Sequence, residues 1–251
     1  MKLYHELAEL WPLLSPPEDY EAEAAAMHAL IQQHVGGRAG LSVLELGAGG
    51  GHSLYHLKQW YDCTAVDLSP EMLTQCRQLN PEVKTVRGDM RDVRLNRTFD
   101  AVLVHDAIDY MTTPEDVMKT LVTVREHLTP GGTSGGGVAF LAPTYLAETF
   151  ENHAIEADVC GDLATGRVLA YSSYVHQPDP QTPVIEMVLT YMINDDGVVR
   201  VIDDRHRCGL FSEADWRQWL RDAGFDAERV ELDTDNADDA PPFEMFIARL
   251  V

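Results

Sequence analysis

Positive charge is scarce in this chain. Its 251 residues hold 19 Lys and Arg against 41 Asp and Glu, a formal net charge of −22, and the cations stand as isolated arginines rather than in basic runs. Such a surface repels phosphate backbones, which disfavours nucleic acid and anionic membranes as partners. Cysteine is sparse too. Cys63, Cys76, Cys160 and Cys208 show no CxxC pairing, the pattern of reduced thiols in a cytoplasm. No run approaches the roughly 18 apolar residues of a membrane span, and the opening MKLYHELAEL carries glutamates where a signal peptide needs an apolar core. No internal repeat is evident.

What is present is a hydrophobic content of 45%, enough to bury a sizeable core in one domain with an added cap. From Asp19 to His34 an Ala- and Glu-rich run places Ala24, Met27, Leu30 and Ile31 on one helical face and ends at Gly36 and Gly37. Strand and helix patterns then alternate. LSVLEL, CTAVDL, VKTVRG, FDAVLVHD and GVAFLAP read as strands, and Ser69-Pro70 opens one of the helices between them. Another helix runs from about Pro114 to His127. Such alternation implies parallel pairing through crossovers, and the continuous apolar runs imply a sheet covered on both faces. From about Tyr145 to Leu210 the pattern changes to period-two alternation, in RVLAYSSYVHQ, PVIEMVLTYMIN and VVRVIDDRHRCGL, with Asp196-Gly197 as a hairpin turn. FSEADWRQWLRDAGF then reads as a helix, capped by Ser212 and closed by Gly224. AERVELDTD and FEMFIARLV finish as strands around an acidic loop at Asn236 to Pro242.

The segment VLELGAGGGH puts Glu45, Gly47, Ala48, Gly49, Gly50 and Gly51 at the carboxyl end of the first strand. Glycines there let backbone approach a ligand, and the N–H groups of the next helix attract negative charge. A dinucleotide or S-adenosylmethionine would suit such a loop, but the dinucleotide fingerprint wants a third glycine where His52 stands. Asp67 ends the second strand twenty residues after Gly47, where a carboxylate can accept from both hydroxyls of a ribose. Gly88-Asp89-Met90 after the third strand would bring an acid and an apolar side chain to an adenine.

ELGAGGG, AVDLSPEML, GDMRD, FDAV and LTPGG, in that order and spacing, resemble the class I S-adenosylmethionine-dependent methyltransferases, from about Leu41 to Leu141 and again from Phe211 onward. More narrowly, ELAELW followed by DYEAEA, then GDMRDVRLNRTFDAV, and finally RHRCGLFSEADWRQWLRDAGF resemble the N,N-dimethyltransferases that act on nucleotide-linked amino sugars. Two features depart from that group: Tyr110 stands where a histidine is common, and the turn before the fifth strand is lengthened as GGTSGGG.

The resemblance implies a doubly wound, seven-stranded Rossmann-like α/β sheet with an antiparallel β insertion over the active site. The divisions expected are 1–141 for the N-terminal helices and cofactor-binding core, 142–210 for the insertion as a substrate cap, and 211–251 for the elements completing the sheet. It further implies S-adenosylmethionine as cofactor, lined by Glu45, Gly47, Ala48, Gly49, Asp67, Leu68 and Met72, with Asp89, Met90 and His105. Tyr4 and Trp11 would fold over it from the N-terminal segment. Members of the narrower group are often dimers through the insertion.

Methyl transfer from a sulfonium is an in-line displacement, and a base is needed only to take a proton from the nucleophile. The candidates are Tyr110, His206 and His105, with Asp106 adjacent. No metal is expected. His52 and His56 stand four apart as paired zinc ligands can, but residue 53 is Ser rather than the glutamate of HExxH, and a solvated helix face accounts for them better. The pairs Asp195-Asp196, Asp203-Asp204 and Asp238-Asp239 are explained by solubility. Three functions remain open at this point: a methyltransferase acting on N or O of a small molecule, an aminopropyltransferase using decarboxylated S-adenosylmethionine with Asp106 and Asp109 at its acceptor site, and a non-catalytic cofactor-binding protein.

Overall fold

A computed structural model of the chain describes residues 1–131, 136–162, 167–195, 197–232 and 243–251. After a short helix α1 (Trp11–Leu14), helix α2 (Glu21–Val35) forms because Ala24, Met27, Ile31 and Val35 recur at helical spacing; all four are buried, and Gly36 at φ +83° ends the helix. Burying the larger of these side chains stabilises the packing by about 1.5–3 kcal/mol each. The chain then runs through β1 (Ser42–Leu46), α3 (His52–Leu57), β2 (Asp62–Asp67), α4 (Pro70–Leu79), β3 (Lys84–Arg87), β4 (Ala101–Val104), α5 (Pro114–His127) and β5 (Val138–Leu141). The cap expected at Ser69 is present: its hydroxyl accepts from Met72 N at 3.1 Å. Thr113 does the same for α5 through Asp116 N.

After a four-stranded excursion, α6 (Glu213–Asp222), β10 (Phe225–Leu232) and β11 (Phe243–Leu250) complete a seven-stranded sheet in the order β3-β2-β1-β4-β5-β11-β10. Its first five strands are parallel, and β11 is antiparallel to both neighbours. Period-two alternation splits the strands between two cores. Val43, Ala65, Leu103 and Phe140 face Met27, Ile31 and Leu54 of α2 and α3, while Leu44, Val66, Val102 and Ala139 face Leu121, Val124, Trp216 and Leu220 of α5 and α6. The sheet is therefore covered on both faces, as the apolar runs imply. The chain leaves β1 in one direction, through β2 and β3, and begins again at β4 in the other. This switch opens a crevice at the carboxyl ends of β1 and β4.

The excursion is an antiparallel meander of β6 (Ala154–Asp162), β7 (Arg167–His176), β8 (Val184–Asp195) and β9 (Val198–Gly209). The three alternating stretches of the sequence are β7 to β9; Gly197 takes φ +87° in the last hairpin, and Asp196 lies outside the described residues. Strand β6 was not expected. It is an edge strand whose apolar residues Ile155 and Val159 are 70% and 66% exposed, so it lacks the core signature that marks a strand in sequence. The inner face of the meander, through Leu169, Leu189, Tyr191 and Ile193, closes on Leu3, Leu7 and Leu10, which makes the N-terminal segment a layer between the two sheets. The acidic loop from Asn236 to Pro242, with Asp238-Asp239, lies outside the described residues.

Candidate active site

A cavity of about 590 Å³ opens where β1, β2 and β4 end, beneath the N-terminal segment and the inner face of the meander. Its floor is the glycine loop after β1. Gly47 adopts φ +76°, and a Cβ there would lie 2.3 Å from Ala107 Cβ and 2.9 Å from Met90 Cε; one on Gly50 would lie 2.8 Å from Trp11 Cδ1. At Gly47, Gly50 and Gly51 the loop has no room for a side chain, so it presents backbone there.

Four ionisable groups ring that floor. Glu45 is 4% exposed, its Oε2 has no partner among the described residues, and burial pushes its pKa up to about 8 against the opposing pull of His105. Asp67 accepts from Gly49 N at 2.8 Å on Oδ2 and from Ser69 N at 2.8 Å on Oδ1. Burial raises its pKa, with these N–H donors opposing, and each oxygen retains a second lone pair. Asp89 is gripped by Arg91 at 2.6 Å, which holds its carboxyl below the usual range. His105 is fixed from both sides: Nδ1 lies 3.0 Å from Asp106 Oδ1, and Nε2 lies 2.9 Å from Glu23 Oε1 at an ion-pair separation without hydrogen-bond alignment. Burial opposes its charge, yet Asp106 and Glu23 outweigh burial and hold the imidazole well above the usual histidine range.

Toward the meander the wall carries a chain of hydrogen bonds. Tyr4 Oη lies 2.8 Å from Tyr110 Oη, Tyr110 Oη lies 2.9 Å from His206 Nδ1, and His206 Nε2 lies 2.9 Å from Asp204 Oδ2. His206 is 1% exposed, and burial lowers its pKa despite Asp204. Beside this chain, Thr144 donates its N–H to Asp109 Oδ2 at 3.1 Å and its hydroxyl to Asp106 Oδ1 at 3.3 Å. Burial pushes the Asp109 carboxyl up to about 8, so it is largely protonated at neutral pH. Tyr191, on the roof, has a buried hydroxyl with no partner among the described residues.

A family model described as a methyltransferase domain matches residues 43–132. The dTDP-3-amino-3,4,6-trideoxy-alpha-D-glucopyranose N,N-dimethyltransferase of Streptomyces venezuelae is 31% identical over 217 residues, 85% of this chain and 86% of that protein. This chain belongs to the S-adenosylmethionine-dependent methyltransferases. The dTDP-3-amino-3,6-dideoxy-alpha-D-glucopyranose N,N-dimethyltransferase of Streptomyces fradiae is 27% identical over 89% of this methyltransferase and 85% of its own length. The crystal structure of Streptomyces venezuelae DesVI superposes with a TM-score of 0.80 at 29% identity, over 93% of this chain and 92% of that one. The enzyme therefore uses S-adenosylmethionine, and the aminopropyltransferase and non-catalytic readings fall away.

The residues of this methyltransferase fit that cofactor on chemical grounds. A cationic ammonium suits the orphaned Oε2 of Glu45, a ribose diol suits the spare lone pairs of Asp67, and only a glycine loop leaves space for the ligand between them. Every residue named from sequence for the site reaches the cavity wall except Met72. Met72 is fully buried beneath the loop, its Cε 3.4 Å from where a Gly49 Cβ would stand, so it props the floor from below.

The solvated face expected for His52 and His56 is also corrected. His52 is 4% exposed, with its ring stacked on Trp11 at 5.9 Å and edge-on to Tyr20 at 5.6 Å, and His56 Nε2 sits 2.7 Å from Pro17 O. The N-terminal segment packs across the start of α3, burying His52 and leaving His56 half-buried; burial drives the His52 pKa down to about 4. Sequence reasoning missed Glu23, Thr144, Tyr191 and the role of Asp204. The first three meet the site only through tertiary packing. Asp204 and His206 share one face of a strand by the period of two, a signal that was available.

Proposed function

We propose that this methyltransferase transfers methyl groups to the amine of a nucleotide-linked amino sugar, twice in succession, in the cytoplasm. The relatives from Streptomyces venezuelae and Streptomyces fradiae, both N,N-dimethyltransferases of dTDP-linked amino sugars, support the acceptor class. The observation that carries the chemistry is the Tyr110–His206 pair on the cavity wall.

S-adenosylmethionine bound on the glycine loop supplies a methyl group on a positively charged, readily leaving sulfur. The backbone of Gly47, Ala48 and Gly49, with Glu45, Asp67 and Asp89, holds it, while Tyr4 and Trp11 of the N-terminal layer exclude water from above. An ammonium has no lone pair for attack, so the enzyme must accept a proton from the amine for each methyl added. Tyr110 Oη receives it and passes its own proton to His206 Nδ1, 2.9 Å away. His105 is not the base in this scheme, because both of its nitrogens already face carboxylates; it anchors the loop after β4. Holding amine and methyl group in line supplies about 7 kcal/mol or more of the barrier lowering.

The outer face of the meander favours a homodimer as the working form. Val159, Ala170, Met192 and Val201 lie in one cross-strand row on it, with Val199 beside them, and Val159, Val199 and Val201 are each more than 60% exposed. A patch of this kind on a soluble enzyme marks an interface. Mass spectrometry after incubation with S-adenosylmethionine and a dTDP-linked 3-amino sugar tests the activity: successive gains of one and two methyl groups are expected. If an amine-free analogue is methylated equally well, the assignment to nitrogen fails.

A further inference from the structure

Asp204 does not line the cavity, yet its own strand and the N-terminal segment both converge on it. Its Oδ2 accepts from His206 Nε2 at 2.9 Å and from Leu3 N at 2.8 Å, and its Oδ1 accepts from Arg205 N at 2.8 Å and faces the N-terminal ammonium at 3.8 Å. It is 3% exposed. A carboxylate so supplied with donors stays ionised and can only accept. Consequently His206 must carry its proton on Nε2, which leaves Nδ1 bare to accept from the Tyr110 hydroxyl. Tyr110 then has oxygen lone pairs free, one of which takes the Tyr4 hydroxyl, and a further one is left for an acceptor's N–H.

The second end of the same strap is held at the cofactor floor. The Tyr4 carbonyl accepts from Ser69 Oγ, and Ser69 N donates to Asp67 Oδ1. The segment from Leu3 to Tyr4 thus joins the acid at the end of β2 to the acid on β9. Tyr4 packs its ring against both His206 and Tyr110, at 5.4 Å and 5.8 Å between centroids.

We propose that Asp204 is a positioning residue that sets the tautomer of His206, and that the N-terminal strap completes this proton relay only when Leu3 is seated on Asp204. The proposal rests on the methyl-transfer reading for its kinetic consequences, but its core is a statement about one proton that can be read without turnover. The groups facing His206 are Asp204 on its own strand, the N-terminal ammonium and Tyr4 on the strap, and Tyr110 after β4. Cys208, the next residue on that face of β9, is neutral, its thiol pushed up to about 12 by burial.

The test begins with the unaltered enzyme labelled with 15N-histidine, in which long-range proton–nitrogen spectra report which ring nitrogen of His206 bears the hydrogen. Protonation on Nε2 is expected; the Nδ1 tautomer would overturn the proposal whatever the enzyme's activity. In Asp204→Asn the side-chain amide can donate to Nε2 and reverse the tautomer. We expect kcat to fall about 10–100-fold, KM and S-adenosylmethionine affinity to change less than twofold, the acid limb of the pH profile to move to lower pH, and the Leu3 amide to exchange faster. A folded Asp204→Asn variant that binds cofactor and keeps its kcat and pH profile refutes the relay. If that variant does not fold, the tautomer in the unaltered enzyme decides. Absence of methyl transfer by the unaltered enzyme, with the Nε2 tautomer intact, would instead count against the acceptor assignment alone.

Discussion

Glu23 on α2 places its Oε1 2.9 Å from Nε2 of His105 on the loop after β4, with the two side chains 15% and 14% exposed. This pair ties the first long helix to the central loop of the cavity, and its strength depends on His105 being charged. Because the folded-state pKa of His105 lies above the roughly 6.5 of the unfolded chain, its contribution is full below that value and is lost as pH rises through the folded pKa. Glu23→Gln should therefore lower stability by about 3 kcal/mol at pH 6, and the deficit should shrink at pH 9. Urea denaturation at the two pH values measures it; an equal deficit at both would mean that charge plays no part.

The raised pKa of Glu45, about 8 through burial, carries a consequence for cofactor binding. If its unpartnered oxygen takes the ammonium of S-adenosylmethionine, binding favours the ionised carboxylate, and a proton must leave at any pH below that value. Affinity should rise with pH between 6 and 7.5, by up to about tenfold per unit. Calorimetry in two buffers of different ionisation heat should register the released proton, and Glu45→Gln should abolish it. A flat affinity profile would remove Glu45 from the ammonium site.

Asp67 has two duties that one substitution separates. In the proposed site its oxygens would bind the ribose while they also hold Gly49 N and Ser69 N at 2.8 Å. Asp67→Ala should weaken S-adenosylmethionine binding by about 2–4 kcal/mol through lost charge-assisted hydrogen bonds. Asp67→Asn keeps one acceptor and should lose less. Unchanged affinity in a folded Ala variant would sink the assignment.

Tyr110→Phe removes the oxygen that, in the proposed relay, takes the amine's proton. Turnover should drop about 100-fold or more, with cofactor affinity nearly unchanged. Stopped-flow methyl transfer beside calorimetry separates the two. Should turnover persist, Asp109, whose carboxyl is raised to about 8 on the same wall, becomes the base to test.

The parallel core was legible because each of its signals is local. The apolar runs, the Ser69-Pro70 cap and the glycines at Gly36 and Gly224 act within a turn or a strand of where they stand. The glycine loop and Asp67 were legible for a related reason: a strand end and a turn suffice to bring them together. What escaped was set by long-range packing. His52 reads as a surface residue until Trp11 and Tyr20 cover it. Met72 reads as a ligand contact until the loop settles on top of it. Edge strand β6 turns its apolar side outward, so the usual equation of apolar with buried fails there.

That same outward side leads to the last expectation. Val159, Ala170, Met192 and Val201 come from four different strands and align through the registers of the meander, with Asp203 and Arg205 of β9 bordering them. An apolar row with a charged border suits a two-fold axis, on which the same patch meets itself and no further copies are recruited. Light scattering should give twice the chain mass. Val201→Glu, at a site 66% exposed, leaves the fold of one subunit undisturbed but places two like charges near each other across the axis, and should yield monomers that still bind S-adenosylmethionine. If the substituted protein remains dimeric, the association runs through another surface, and the apolar row needs a different partner.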